Sequence, residues 1–293
     1  MKPLLHLKLG IISCLLLTAC ADKSETEYTG SVARLNPELD RTLAPDTRPE
    51  ILARGFNWIE GPLWIPEEDA LIFSDIPENI ILRWDENNGI QPYLKPSGYT
   101  GTIARGGESG SNGLLLDMEG RLVLCQHGDR RVALMDACTC KPRPKFVTLA
   151  DKWEDRKFNS PNDGVYSKTG NLYFTDPAYG MEQRFDDTLR EMDFAGVFHL
   201  DTGGNVLLIT DTLSAPNGIG LSPTEDRLYV AVSGRESGLI WVEYRMDENG
   251  NPLEGQLFYD AGPASDSLSG APDGMDIRSD GMIFATGPGG AWI

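Results

Sequence analysis

An all-β propeller is the fold class this sequence predicts, on three observations. Five short polar doublets recur along the chain: Glu60-Gly61, Asn112-Gly113, Asn162-Asp163, Asn217-Gly218 and Asp273-Gly274. Their first residues stand 52, 50, 55 and 56 residues apart. Each doublet opens the same grammar of an apolar segment, a tight turn and a second apolar segment, while apolar patterning at helical period is scarce outside the N-terminus. A period of roughly 40–55 residues holding several strands marks a propeller, which sets equivalent residues of successive blades around one axis.

The blades follow in order. The first repeat offers strands over 61–65, 70–74 and 80–84, with a shorter segment near 92–94. The second offers 113–117, 121–126, 131–136 and 145–150, and the third 164–167, 171–175, 196–201 and 206–210. The fourth offers 218–222, 227–232, 239–244 and 256–260, and the fifth 273–277, 282–286 and a remnant at 291–293. Gly120, Gly170 and Gly281 sit in turns between first and second strands, where a positive φ is wanted. Pro49 to Ala53 reads as a strand that closes the ring. Two inserts interrupt the pattern, a glycine-rich one at 95–111 and an acidic one at 177–195 placed to cover the mouth of the channel.

The N-terminus stands apart. Lys2 and Lys8 precede the apolar run Leu9 to Leu17, and Leu17-Thr18-Ala19-Cys20 follows. That pattern is a secretory signal, and it resembles a bacterial lipoprotein box in which Cys20 becomes the lipidated first residue. With Ala21 rather than an acid after Cys20, the chain resembles lipoproteins sorted to an outer membrane facing the periplasm. The expected organisation is a leader at 1–19, a polar tether at 20–47 and a propeller at 48–293. Losing residues 1–19 removes two lysines and no acid, which takes the net charge from −18 to −20. Such a surface excludes nucleic acid and anionic headgroups as partners and favours a cation and a neutral substrate. The membrane is then reached through the lipid anchor alone. Cys125, Cys138 and Cys140 remain in the mature chain, an odd number whose spacing matches no zinc site. Cys125 is expected to pack inside a strand.

One Asn-Gly or Asp-Gly is a turn signal, but a turn residue need not begin every inner strand at one interval. In phase, Glu60, Asn112, Asn162, Asn217 and Asp273 place two carboxylates and three carboxamides around the axis. These are hard oxygen donors that suit Ca²⁺, which takes about six to eight oxygens and leaves room for water or substrate. No cysteine or histidine cluster demands Zn²⁺; Zn²⁺, Mg²⁺ and Mn²⁺ stay open alongside Ca²⁺. His127 ends a second strand and aligns with Asp75 and Asp176, as either a structural histidine or a substrate contact. Asp75 and Asp176 are expected to cap turns, and Arg130 and Arg131 to pair with acids on a solvated loop.

Several motifs carry a family resemblance: Glu60-Gly61-Pro62-Leu63-Trp64, Phe158-Asn159-Ser160-Pro161-Asn162-Asp163, Tyr173-Phe174-Thr175-Asp176-Pro177, Ala215-Pro216-Asn217-Gly218 and Pro272-Asp273-Gly274-Met275. Over about residues 50–293 the chain resembles the gluconolactonase, senescence-marker-protein and luciferin-regenerating-enzyme family. Ser111-Asn112-Gly113-Leu114 and Cys125 to Arg131 point to its bacterial gluconolactonase branch. The resemblance implies a six-bladed propeller with a divalent metal on its axis, and a lactone hydrolase. It implies Glu60, Asn162, Asn217 and Asp273 as metal ligands and Asp273 as the catalytic base. Asn112 matches a channel-lining position, and the substrate contacts would be Asn112, His127 and Asp163. The family continues beyond the point where this sequence stops, so the expectation is a six-bladed ring truncated within the fifth metal-site repeat. The function expected is opening of a sugar lactone such as an aldono-1,5-lactone. The rivals are a phosphotriesterase or arylesterase-like hydrolase, on the same ligand set, and a non-catalytic binding propeller. The oligomeric state is not legible.

Overall fold

The computed structural model describes residues 26–293, Arg235 excepted. The leader and Cys20 lie outside the described residues. Two compact units divide at Arg54 and Gly55. In the first, a 3-10 helix at Pro37–Arg41 is capped by Asn36, whose side chain accepts from Glu38 N at 2.9 Å. Tyr28 bridges Glu50 in antiparallel fashion, and Ile51 N donates to Glu27 O at 2.8 Å. Ile51 to Ala53 form no strand, contrary to the ring-closing role expected of them; the backbone of Ile51 is already taken by Glu27.

The second unit is a propeller of five described blades. Blade 1 is β1 (Ile59–Ile65), β2 (Ala70–Asp75), β3 (Ile80–Asp85) and β4 (Gly89–Leu94). Blade 2 is β5 (Ser111–Leu116), β6 (Leu122–Gln126), β7 (Arg131–Met135) and β8 (Phe146–Ala150). A small hairpin follows, β9 (Lys152–Trp153) and β10 (Arg156–Lys157). Blade 3 is β11 (Gly164–Tyr166), β12 (Leu172–Asp176), β13 (Gly196–Leu200) and β14 (Val206–Thr210). Blade 4 is β15 (Pro216–Leu221), β16 (Arg227–Val232), β17 (Ile240–Met246) and β18 (Pro252–Asp260). Blade 5 has three described strands, β19 (Met275–Ile277), β20 (Ile283–Gly287) and β21 (Gly290–Trp292). Each blade is an antiparallel meander, and the inner strands β1, β5, β11, β15 and β19 are neighbours in that order.

The two-residue period of the second strands explains the stacking. In β6, Leu122 and Leu124 join Ile65, Ile72 and Ile81 in the core between blades 1 and 2, while Val123 and Cys125 join Phe158, Phe174 and Phe198 in the next one. In β12, Phe174 faces back and Tyr173 faces forward to Val230 and Val232. In β16, Val230 and Val232 face back and Ala231 faces forward to Ala285. Alternate side chains point to opposite faces of a strand, so a strand covered on both faces reads as one apolar run. Burying each such side chain contributes roughly 1.5–3 kcal/mol.

The β9–β10 hairpin has no counterpart in the sequence reading. It turns at Glu154 and Asp155, both at positive φ (47° and 63°), without the usual glycine. Its Trp153 lies 6.1 Å from Phe198 and lids the core between blades 2 and 3. Cys138 and Cys140 form a disulfide, and Cys125 is buried and free. Arg131 pairs with Asp129 at 2.9 Å as expected, but among the described residues Arg130 pairs with no acid. Its Nε donates to Phe158 O at 2.6 Å and to Asn159 O at 3.2 Å, carbonyls of the chain entering blade 3.

The inner ends of the blades touch backbone to backbone. A Cβ on Gly61 would lie 2.2 Å from Asn112 O, one on Gly113 2.7 Å from Asn162 O, and one on Gly218 2.3 Å from Asp273 O. Gly274 meets nothing within 4 Å. Gly218→Ala should therefore lower unfolding free energy by about 1–3 kcal/mol through overpacking, and Gly274→Ala should change it by less than about 0.5 kcal/mol. Urea denaturation of the two variants tests this; equal losses would contradict the junction.

Candidate functional site at the inner strand ends

The doublets are bulges in the inner strands rather than turns. Pairing slips between Glu60 and Leu63 in β1, between Ser111 and Leu114 in β5, and between Pro216 and Ile219 in β15. In blade 3, Asn162 N donates to Thr175 O at 2.8 Å and Thr175 N to Asp163 O at 3.0 Å. Blade 5 repeats this, with Asp273 N on Thr286 O at 3.1 Å and Thr286 N on Gly274 O at 2.9 Å. A bulge bends the strand and re-aims the side chain it carries, which accounts for turn-type residues within strands.

Each blade then fixes the next. Ser74 Oγ donates to Asn112 O at 3.0 Å, Gly113 N to Asn162 O at 2.7 Å, and Thr175 Oγ1 to Asn217 O at 2.7 Å. Ser233 Oγ donates to Pro272 O. The backbone carbonyls at these residues are thereby committed. Asn217 Nδ2 donates to Ser233 Oγ at 3.1 Å, which leaves its amide oxygen available. Among the described residues no protein group hydrogen-bonds the side-chain amides of Asn112 and Asn162, although both residues are buried. Asp163 stands where the other doublets carry glycine. Its carboxylate accepts from Gly164 N at 2.8 Å and from Ile219 N at 3.3 Å, tying blade 3 to blade 4.

Glu60 comes from the first and Asp273 from the fifth described blade, and the Asp273 charge reaches Glu60. Burial, then the Asp273 charge, push the Glu60 carboxyl up to about 8, against a lowering hydrogen bond from Trp58 Nε1 at 3.0 Å. Burial pushes Asp273 up to about 6, with the Gly274 N–H acting the other way and the Glu108 charge adding to the rise. Burial likewise takes Asp163 to about 7, against its backbone hydrogen bonds. Among the described residues, neither Glu60 nor Asp273 makes an ion pair with a basic side chain. Two carboxylates gathered without a basic partner, beside amides without protein partners, fit a divalent cation. No group of three His, Cys, Asp or Glu side chains among the described residues could hold a metal by itself, so the amide oxygens would have to complete the site.

One of the expected details changes. Gln126, not His127, takes the position of Asp75 and Asp176: it pairs with Ser111 as Asp75 pairs with Ile59. Asp75 caps Asn57 N and Trp58 N at 3.1 Å, and Asp176 caps Asn159 N and Ser160 N at 2.8 and 2.7 Å, as the sequence predicts. His127 lies one residue further on, wholly buried beneath Gly180 of the 177–195 insert. Sequence reading also misses Glu108, Trp58 and Tyr179. Tyr179 stands at the site: burial raises its phenol, the Ser233 hydroxyl opposes this, and the Asp273 and Glu108 charges add to the rise. The inserts interlock, with Arg105 donating to Gly128 O at 2.7 Å and to Gly180 O at 2.6 Å, and Glu182 accepting from Gly106 N at 3.0 Å.

Fold and site together define a propeller with paired acids and amides at the inner ends of its blades. Residues 58–293 match the SMP-30/gluconolactonase/LRE-like region, and the chain belongs to that family. It is 39% identical over 290 residues to a gluconolactonase of Zymomonas mobilis, covering 94% of this chain and 79% of that protein. It is 27% identical over 232 residues to the pentonolactonase XacC of Haloferax volcanii, covering 77% of this chain and 65% of that one. A gluconolactonase structure from Xanthomonas campestris superposes with a TM-score of 0.70 at 23% identity, covering 91% of this chain and 80% of that chain.

A carboxyl whose folded pKa is raised binds its proton more tightly when folded. Its stabilisation is full below the unfolded value of about 4 and is lost as the pH rises through the folded value. Without added metal, the melting temperature should therefore fall from pH about 5 to pH about 9, and Glu60→Gln should flatten that fall. Thermal melts across this range test it; an unchanged slope in the variant would contradict the assignment.

Proposed function

We propose that this chain is a divalent-cation-dependent hydrolase that opens a sugar lactone such as an aldono-1,5-lactone. The observation that carries the reading is a pair of buried carboxyls, Glu60 and Asp273, raised by burial and without a basic partner among the described residues, in a chain of the gluconolactonase family. The names of the relatives, a gluconolactonase and a pentonolactonase, support the substrate class. A neighbour with a TM-score of 0.59 is described as the calcium-binding protein regucalcin of Agrobacterium tumefaciens, which supports Ca²⁺ as the ion. In this reading Glu60, Asn162, Asn217 and Asp273 hold the cation, and the described blades belong to a ring of six. When bound, the ion supplies Lewis acidity toward the lactone carbonyl oxygen.

The residues of the chain do the rest. Asp273 takes a proton from the attacking water, or attacks the carbonyl carbon itself. In the first route the water oxygen bonds the carbonyl carbon, the ring C–O bond breaks, and the proton held on Asp273 passes to the departing ring oxygen. Asn112 lines the channel beside the ring, Asp163 holds blade 4 in register, and Tyr179 with the two inserts limits access of water. Lys2, Lys8 and Leu17-Thr18-Ala19-Cys20 support export and lipid anchoring at Cys20, facing the periplasm, so that a Cys20→Ala chain would leave the membrane fraction.

Chelation should abolish turnover of aldonolactones, and Ca²⁺ should restore it. Glu60→Gln should regain activity with excess metal, whereas Asp273→Asn should stay at least about 100-fold down, as loss of a positioned general base does. Initial rates on a panel of lactones, aryl esters and phosphotriesters check both. Full turnover after exhaustive chelation would sink metal dependence, equal rescue of the two variants would leave Asp273 a ligand only, and faster turnover of phosphotriesters would replace the substrate class.

A further inference from the structure

The 95–111 insert carries a third carboxylate, Glu108, just before a segment fixed by hydrogen bonds. Gly110 N donates to Ile76 O at 2.8 Å, Gly110 O accepts from His127 N at 3.1 Å, and Ser111 N donates to Ser97 Oγ at 3.1 Å. A Cβ on Gly128 would lie 2.4 Å from Ser109 O, so the chain just beyond Glu108 cannot drift. Glu108 Oε1 accepts from Arg184 Nη2 at 3.1 Å, and Oε2 lies 3.5 Å from His127 Nδ1. The Glu108 side chain is 17% exposed, while His127 is fully buried with neither ring nitrogen hydrogen-bonded among the described residues. A buried polar ring without a partner is uncommon and calls for an explanation. Here the ring points at Glu108 and stops short of a hydrogen bond. His127 packs against Gly180, next to Tyr179, so the Glu108 carboxylate lies on the Tyr179 side of the insert, and its charge adds to the raised Glu60, Asp273 and Tyr179 groups.

We propose that Glu108, hydrogen-bonded by Arg184 and set against the buried His127 ring, is a specificity-determining residue whose carboxylate accepts hydrogen bonds from the free hydroxyls of a polyhydroxylated lactone. This rests on the lactonase reading and deepens it. An ionised carboxylate only accepts, and a sugar hydroxyl can donate. Hydrogen bonds to charged acceptors are the strong ones. A site built to bond hydroxyls rejects the analogue that lacks them, because its buried polar groups are then left unpaired. A neutral lactone meets no repulsion from Glu108, Glu60 and Asp273, whereas the carboxylate product does, which favours its departure. His127 acts through Glu108 as a positioning residue. Arg184, 61% exposed, closes the outer side of the latch.

The test is steady-state kinetics of the full chain with metal, on two six-membered lactones: glucono-1,5-lactone, which carries hydroxyls, and unsubstituted δ-valerolactone. Glu108→Ala should raise KM for the hydroxylated lactone and shrink the ratio of kcat/KM between the two by about tenfold or more. Glu108→Gln, which keeps one acceptor oxygen, should fall between, and His127→Asn should move the ratio the same way by less. If Glu108→Ala does not fold, Glu108→Gln decides. Equal losses on both lactones, or an unchanged ratio in an active wild type, overturn this inference alone. A wild type that opens neither lactone overturns the lactonase reading and this inference with it.

Discussion

The backbone contact between successive inner strands is the constraint on which the rest depends. The second, third and fourth doublets offer the carbonyl of their asparagine to the preceding blade, and at the fifth Pro272, just before the doublet, offers its own; the donor changes with what the sequence supplies. Ser74 and Thr175 use hydroxyls at one structural position. Cys125 occupies that position in blade 2, and there Gly113 N makes the bond instead. Ala231 occupies it in blade 4, and Ser233 reaches Pro272 O from beyond the strand. The approach is so close that Gly61, Gly113 and Gly218 have no room for a Cβ. Gly274 meets nothing within 4 Å, and Asp163, which stands where the other doublets carry glycine, uses its side chain to make a link. The backbone at the doublets is thus spent on joining the blades, which leaves the side chains of Glu60, Asn112, Asn162, Asn217 and Asp273 outside that network of inter-blade bonds.

That arrangement gathers charge against the interest of stability. Glu60, Asp273 and Asp163 are all raised by burial, and Asp273 raises both of the others. Active sites are where such like-charge groups persist, because an ion or substrate offsets in the working state what is unfavourable in the empty one. Arg105 of the first insert donates to Gly128 O and to Gly180 O of the second, which fixes the two together.

Much of this was legible in the sequence. The blade period, the strands and the capping roles of Asp75 and Asp176 follow from two-residue alternation and short-range turn chemistry. The doublets were legible as a set because five in phase exceed what turns require. What stayed hidden is what depends on contacts between distant loops. Glu108 lies in a glycine-rich stretch with no period, and its meaning comes from Arg184 and His127, both far along the chain. His127 and Gln126 were interchanged because a one-residue step in a strand flips the face, and only the pairing with Ser111 fixes it. The β9–β10 hairpin escaped because each strand is two residues long and its turn lacks glycine. Arg130 looked solvated because the carbonyls it binds belong to the entry of another blade.

The central claim is that Glu60 and Asp273 form, with amide oxygens, a site for a divalent cation. Isothermal titration of the metal-free chain with Ca²⁺, in two buffers of different ionisation enthalpy, tests it most directly. Because Glu60 sits at about 8 and Asp273 at about 6 without metal, binding near neutral pH must displace a proton. The account predicts one site per chain, net proton release at pH about 7, weaker binding as the pH falls, and loss of the release in Glu60→Gln. Absence of binding by the intact chain, or binding whose proton release is unchanged in Glu60→Gln, would contradict it.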